Sequence, residues 1–414
     1  MNARQNAAMK RLLSVEEALA LVLARVPDPV EAKEPADLLF AVGCTLFEDV
    51  RADGDFPAWP RSRVDGYAVR AAETPRTLDV VCEVAAGSTP DARIASGQSA
   101  RIFTGGAVPG GADAVVKQED VSADGKRVTI PSRVEAGENV TPRGSECRAG
   151  DVVAARGTVI TPALTGALAS VGRASVRIAR RPPVVVIPTG NELVPVTETP
   201  PPGRIRNSNA PALVAAMWSY GGWPESLPIV TDVRTALDDA LETAFAKDPA
   251  IVLLTGGVSV GDYDLVPAAL AAAGVERVLH GVNLQPGKPL WFGVRGTTLV
   301  FGLPGNPVSA LVNAALFVRP ALRKLSGRTD VIPETLVATL GAAVGAGVER
   351  RRFVPARTTA GSDGRLVATP IPYAGSGDVF GFSRADALIV VPERAPARAA
   401  GERCEVVPLS GTAR

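Results

Sequence analysis

The chain has 414 residues, 46% of them hydrophobic, which is enough apolar material for several packed cores and too much for a disordered chain. Lysine plus arginine (44) nearly balances aspartate plus glutamate (43), removing any general electrostatic case for a nucleic-acid or membrane-surface binder. The 41 glycines and 35 prolines follow no fixed period, which excludes collagen and implies many turns.

His280 is the lone histidine, so a His-rich metal site or a Ser-His-Asp triad within one subunit is excluded. Cys44, Cys82, Cys147 and Cys404 are too scattered for a CxxC zinc framework or a disulfide scaffold. The opening run MNARQNAAMKRLLSVEE reaches Glu16 and Glu17 before any long apolar stretch, and no later run is a membrane span. A cytoplasmic protein without membrane contact is expected.

In chain order, Ser14 caps a helix expected through about Arg25, with Glu17 in the reciprocal capping position and Leu19, Leu21 and Leu23 among its apolar residues. Pro27, Pro29 and Pro35 interrupt it. A second short helix is expected over residues 38–42, ending at Gly43. Residues 49–141 then turn to Gly/Pro-punctuated, β-branched segments, with short strands expected at 80–84, 100–104, 114–117 and 128–131. The chain returns through residues 152–176.

The clearest α/β rhythm runs from about residue 181 to 328. PPVVVIPTGNEL reads as a buried strand and polar turn, NSNAPALVAAMWSYGG as a helix, ESLPIVTD as a strand and TALDDALETAFAKD as a helix. PAIVLLTGG reads as a strand, YDLVPAALAAAG as a helix, and TTLVFGLPGNP as a strand entering a long helix near Val308 with a kink at Pro320. This alternation predicts a three-layer, parallel or mostly parallel sheet. Short turn-rich strands near 334–340, 352–354, 366–368, 388–391 and 404–407 predict a small C-terminal β domain. The expected fold is thus multidomain α+β and α/β. A composite N-terminal region (1–180) carries a β-rich insertion at about 50–141, followed by a central three-layer α/β domain (181–328) and a C-terminal β domain (329–414).

Three turns carry chemistry. Pro188-Thr189-Gly190-Asn191-Glu192-Leu193 puts polar groups at a strand's C-terminal edge, where open α/β sheets bind ligands, although a carboxylate there also serves as a helix cap. Thr255-Gly256-Gly257-Val258-Ser259-Val260-Gly261-Asp262-Tyr263-Asp264 offers close backbone approach, two hydroxyls and two carboxylates able to organise a hydrated divalent cation; it lacks the GK[ST] ending of a P-loop. Gly302-Leu303-Pro304-Gly305-Asn306-Pro307 leads into a helix whose first amides can face an anion, and Gln285-Pro286-Gly287-Lys288-Pro289 adds a cation on another turn.

In this order VDGYAVR, FTGG, PTGNEL, TGGVSVGDYD, QPGKP and GLPGNPVSA resemble the molybdopterin molybdenumtransferase family, which includes the E domain of gephyrin. The resemblance spans essentially the whole chain. It implies an elongated homodimer with active sites formed across subunits, and a reaction in which molybdate enters adenylylated molybdopterin with Mg2+ present and AMP released. It places the chain beside other molybdenum-cofactor biosynthesis enzymes. It carries possible functional roles onto Asp65, Thr104, Glu192, Asp232, Asp264, Lys288, Pro304 and Pro307.

On chemical grounds Glu192 and Asp264 are the Mg2+ candidates, Asp65 a positioner of the metal-oxo substrate or water, Thr104 an oxyanion donor, and Lys288 a stabiliser of phosphate or molybdate. Thr189, Gly190, Asp232, Gly256, Gly257, Ser259, Pro304, Pro307 and Ser376 complete the expected substrate channel. The chain departs from the family pattern at Gln285, often basic there; at Asn191, commonly Asp; at Ser145 in the Arg143–Glu146 turn; and in the Gly375-Ser376-Gly377-Asp378 loop, which lacks a frequent histidine. The related transferase that adenylylates molybdopterin, a tungsten-specific variant, and a scaffold role like that of gephyrin are the alternatives.

Overall fold

The computed structural model describes residues 12–87, 91–257 and 265–409. Its centre is a six-stranded sheet ordered Trp223–Ser226, Pro183–Pro188, Ile251–Thr255, Thr298–Leu303, Trp291–Arg295 and Glu276–His280. The first four strands run parallel, Trp291–Arg295 runs antiparallel to them, and Glu276–His280 is antiparallel to Trp291–Arg295. Strand alternation explains the three layers. Val184, Val186, Ile251 and Leu253 pack with Leu213, Met217 and Leu322 on one face, while Val185, Ile187, Val252 and Leu254 pack with Leu237, Leu241 and Leu270 on the other. Burial of both faces is why these strands read as continuous apolar runs.

Two details of the central sheet differ from the sequence-based reading. The strand expected over ESLPIVTD lies at Trp223–Ser226, and Pro228, which has no ladder donor, falls in the loop beyond it. The strands Trp291–Arg295 and Glu276–His280 have no counterpart in that reading; Trp291–Arg295 joins the sheet by pairing with Thr298–Leu303, and Glu276–His280 adds to it as the edge strand.

The predicted first helix is Val15–Ala24, with the full Ser14/Glu17 capping box. Its buried stripe is Val15, Ala18 and Val22 rather than the leucines, and Leu21 faces solvent. That stripe packs into the central core, and the Lys324 ammonium donates to the Leu23 carbonyl at the helix's C-terminal end (2.7 Å). Residues 38–40 form a 3-10 turn instead of a longer helix, burying Leu38 and exposing Leu39 and Phe40.

All four strands expected in the insertion are present, and Gly66–Val69 joins them in a six-stranded sheet. A Cβ at Gly66 would lie 1.9 Å from the Val116 carbonyl oxygen, so only glycine permits this strand approach. The C-terminal strands Leu336–Leu340, Arg351–Ala360, Leu366–Pro370, Ala387–Val391 and Arg403–Pro408 close into a small barrel, because Arg351–Ala360 pairs with both Leu366–Pro370 and Ala387–Val391. Leu284–Gln285 adds to it in parallel beside Arg351 and Arg352.

The long helix starts at Pro307 and passes through one widened π turn, Ala314–Val318, before Arg319–Leu325. This irregularity replaces the predicted kink: Pro320 lacks an amide proton and crowds the preceding turn, and widening that turn accommodates it. Arg319, fully buried, donates from Nε to the Ala315 carbonyl in the π turn and from Nη1 to the Pro408 carbonyl at the end of the barrel (2.7 Å). Burial lowers its pKa to about 10, so it stays charged at neutral pH. Arg319→Ala should cost about 3 kcal/mol in urea unfolding by stranding buried carbonyls, with amide exchange rising first at residues 403–408. Wild-type stability in that variant would show that these bonds contribute nothing net.

Candidate functional site

Three strand ends meet at one edge because their register aligns Pro188 with Thr255 and Thr255 with Leu303. The turns that follow are cross-linked. Thr189 N–H donates to the Thr255 carbonyl (3.0 Å), Gly256 N–H donates to the Leu303 carbonyl (3.2 Å), and the Asn209 amide donates to Thr255 Oγ1 (2.8 Å) and to the Gly305 carbonyl (2.7 Å). Sequence reasoning missed Asn209; the only signal was an asparagine opening the helix after a strand-turn unit. Gly256 has φ +99°, and a Cβ there would meet the Thr189 carbonyl oxygen at 2.4 Å, so this glycine permits the close approach of two loops.

Thr189 is buried and turns its hydroxyl toward the Thr255 carbonyl, shaping the turn. Glu192 is exposed, and its carboxylate folds back over Gly190, where an added Cβ would lie 2.4 Å from Oε2. Asn191 and Asp232 grip each other reciprocally: Asn191 N–H donates to Asp232 Oδ2, and Asp232 N–H donates to Asn191 Oδ1, both at 3.1 Å. Asp232 is therefore a cap of the first turn. Gly257 follows at φ +61°, while Ser259, Asp262 and Asp264 lie outside the described residues.

Lys288 belongs to the same edge. Trp291 pairs with Gly302, so the connection 281–290 emerges beside the Pro304 turn. Lys288 is exposed, and Gly287 before it has φ +112°. Pro304 is buried, and Pro307 occupies the first turn of the helix. Its first amides are not all open to an anion, as the sequence had suggested, because Val308 N–H donates to the Ser376 carbonyl (3.1 Å). That bond seats the Ser376 loop of the barrel on the GLPGNP turn. Asp378 then accepts from the Gly381 and Ala374 amides, which hold its carboxyl below the usual range, the Gly381 bond first.

Asp65 and Thr104 form a separate pair. Gly66 opposes Ile102 in the sheet, which carries Asp65 alongside the end of the next strand. Thr104 donates to Asp65 Oδ1 from both N–H and Oγ1, each at 2.7 Å. These bonds, the backbone one first, hold the Asp65 carboxyl below its ordinary pKa. The single hydroxyl proton of Thr104 is thus directed at Asp65, in place of the expected direct donation to an oxyanion. Among the described residues, no hydrogen bond or ion pair joins this pair to the central turns.

No group of three His, Cys, Asp or Glu side chains suited to a metal occurs among the described residues. Glu192 alone is consistent with Mg2+, which binds through one or two carboxylates plus substrate phosphate and retained water. No described helix is long and apolar enough to cross a membrane.

The MoeA N-terminal region model (domains I and II) matches residues 13–172, a probable molybdopterin binding domain matches 185–324, and the MoeA C-terminal region (domain IV) matches 337–409. A molybdopterin molybdenumtransferase of Nostoc sp. is 38% identical over 326 residues, covering 76% of this chain and 74% of that protein. One from Bacillus subtilis is 34% identical over 363 residues, covering 84% and 83%. The crystal structure of a molybdopterin biosynthesis MoeA protein from Pyrococcus horikoshii OT3 is similar at 29% identity, with a TM-score of 0.83 over 96% of this chain and 100% of that one. With the motifs in order and the fold shared along its length, the chain belongs to the molybdopterin molybdenumtransferase (MoeA) family, enzymes of molybdenum-cofactor biosynthesis.

Proposed function

We propose that this transferase inserts molybdate into adenylylated molybdopterin and releases AMP, completing the molybdenum cofactor. The observation that carries the reading is the convergence of the Pro188, Thr255 and Leu303 strand ends with the Lys288 connection on one sheet edge. The Lys288 ammonium offsets the charge of the phosphate linkage or molybdate, and the Gly190, Gly256 and Gly257 turns shape the channel in which the pterin phosphate lies. Glu192, with Asp264 as the second carboxylate expected from the sequence, would hold Mg2+, which would supply neutralisation of the phosphate charge. Catalysis rests on positioning and electrostatics rather than on a protein nucleophile.

Asp65, kept ionised by Thr104, orients water or the oxyanion from the neighbouring subunit of a homodimer. The Asp65–Thr104 pair belongs to a different sheet from the central turns, which supports a shared site. The reading also places the enzyme in the cytoplasm, alongside the other enzymes of cofactor biosynthesis.

Incubating the purified protein with adenylylated molybdopterin, Mg2+ and molybdate should yield AMP and completed cofactor together; a folded protein that forms neither disproves the reaction. Glu192→Gln and Asp264→Asn should each lower the rate by about a hundredfold or more without unfolding the chain. Mixing Asp65→Asn with Glu192→Gln protein should restore activity, since each mixed dimer contains one unaltered site; no recovery after verified subunit exchange would place both residues in one subunit's site.

Thr104→Ala should raise the Asp65 pKa, read by NMR titration. The sign follows from the lowered native value: the Thr104 bonds contribute stability above the unfolded Asp pKa of about 3.9, and this is lost as pH falls through the native value. An unmoved Asp65 titration would refute that coupling.

A further inference from the structure

Asn313 is fully buried in the apolar run Ala310–Phe317. A polar side chain there is costly unless its hydrogen bonds do something an apolar residue cannot. Its Nδ2 donates to the Ser309 carbonyl one turn back (3.0 Å) and to the Gly287 carbonyl on the QPGKP connection (3.0 Å). The two donations fix the amide's orientation and leave Oδ1 buried without a partner. The fit is close from the other side too: a Cβ on Gly287 would lie 2.4 Å from Nδ2 and 3.1 Å from Leu284 Cδ1. Gly287, at φ +112°, is also the residue before Lys288. The Lys288 carbonyl accepts from the Val282 and Leu290 amides, so the connection is pinned at its base by backbone bonds and at its tip by Asn313.

We infer that Asn313 is a positioning residue, holding the Gly287–Lys288 turn against the helix that follows the GLPGNP loop so that the Lys288 ammonium is presented to the anionic substrate. The anchoring rests on the geometry; its consequence for turnover rests on the role proposed for Lys288. The long helix thereby couples two parts of the site, carrying the Pro304–Pro307 turn at its start and gripping the lysine turn two helical turns later.

Asn313→Leu keeps the branched shape with somewhat greater bulk and removes both donations along with the unpaired acceptor, so the chain should fold with a melting temperature lowered by the crowding and by the undonated Gly287 carbonyl. Three readouts follow. Hydrogen exchange over residues 284–290 should accelerate, kcat/KM for insertion should fall about tenfold, and adding Asn313→Leu to Lys288→Ala should cost little beyond Lys288→Ala alone. A purely structural residue would instead give additive losses. Gly287→Ala, which attacks the same contact from the side of the turn, should reproduce the faster exchange and serves if Asn313→Leu misfolds. Unchanged exchange in both variants, or full additivity with Lys288→Ala, would overturn the inference. A wild-type rate for Lys288→Ala would instead remove the charge role assigned to Lys288, with the exchange measurement still deciding the anchoring.

Discussion

The central edge of this protein depends on the register of three parallel strands. Pro188, Thr255 and Leu303 end level because the strands before them are buried on both faces, and a slip of one residue would exchange the two sets of valines, leucines and isoleucines between unlike helix layers. The turns inherit that alignment. Once level, they lie close enough for Gly256 to accept the Thr189 carbonyl against its Cα and for Asn209 to bridge two of them. The edge thus gains exposed Glu192 and Lys288 on a rigid base, as electrostatic preorganisation requires.

Polar groups buried beneath that edge tie the other regions to it. Arg319 links the π turn of the long helix to the last strand of the barrel, and the Ser376 carbonyl takes the Val308 amide at the helix start. Barrel and helix therefore meet at two points of the same element, its start and the residue after its π turn. The cost of desolvating Arg319, visible in its lowered pKa, is offset by several backbone acceptors rather than by an opposing carboxylate. The Asp65–Thr104 pair stands apart, ordered by its own sheet and electrostatically ready before any partner arrives.

Much of this was legible beforehand where local rules suffice. The Ser14 capping box, the VVVI and IVLL strands, the four insertion strands and the barrel segments all follow from capping chemistry and period-two or continuous apolar runs. Less legible were elements whose identity depends on a distant partner. Glu276–His280 and Trp291–Arg295 carry charged residues and lack a continuous apolar run, and the helix stripe of Val15, Ala18 and Val22 was hidden among more conspicuous leucines. Among candidate site residues, Glu192, Lys288 and Asp65 could be named from their motifs, whereas Asn209 and Asn313 lie in unremarkable helical sequence.

The sequence by itself determined the element types, the family and the chemical inventory: carboxylates, one well-placed lysine, Gly/Pro turns and a single histidine. Those properties are local, set by propensity, capping and side-chain chemistry along a few residues. Only the tertiary structure decided that Thr104 spends its proton on Asp65, that Asn191 and Asp232 cap each other, that Ser376 closes a helix start and that Asn313 grips the lysine turn. Each of these is a hydrogen bond whose partner lies elsewhere along the chain, and its geometry exists only once the strands are in register and the surrounding apolar surface has packed.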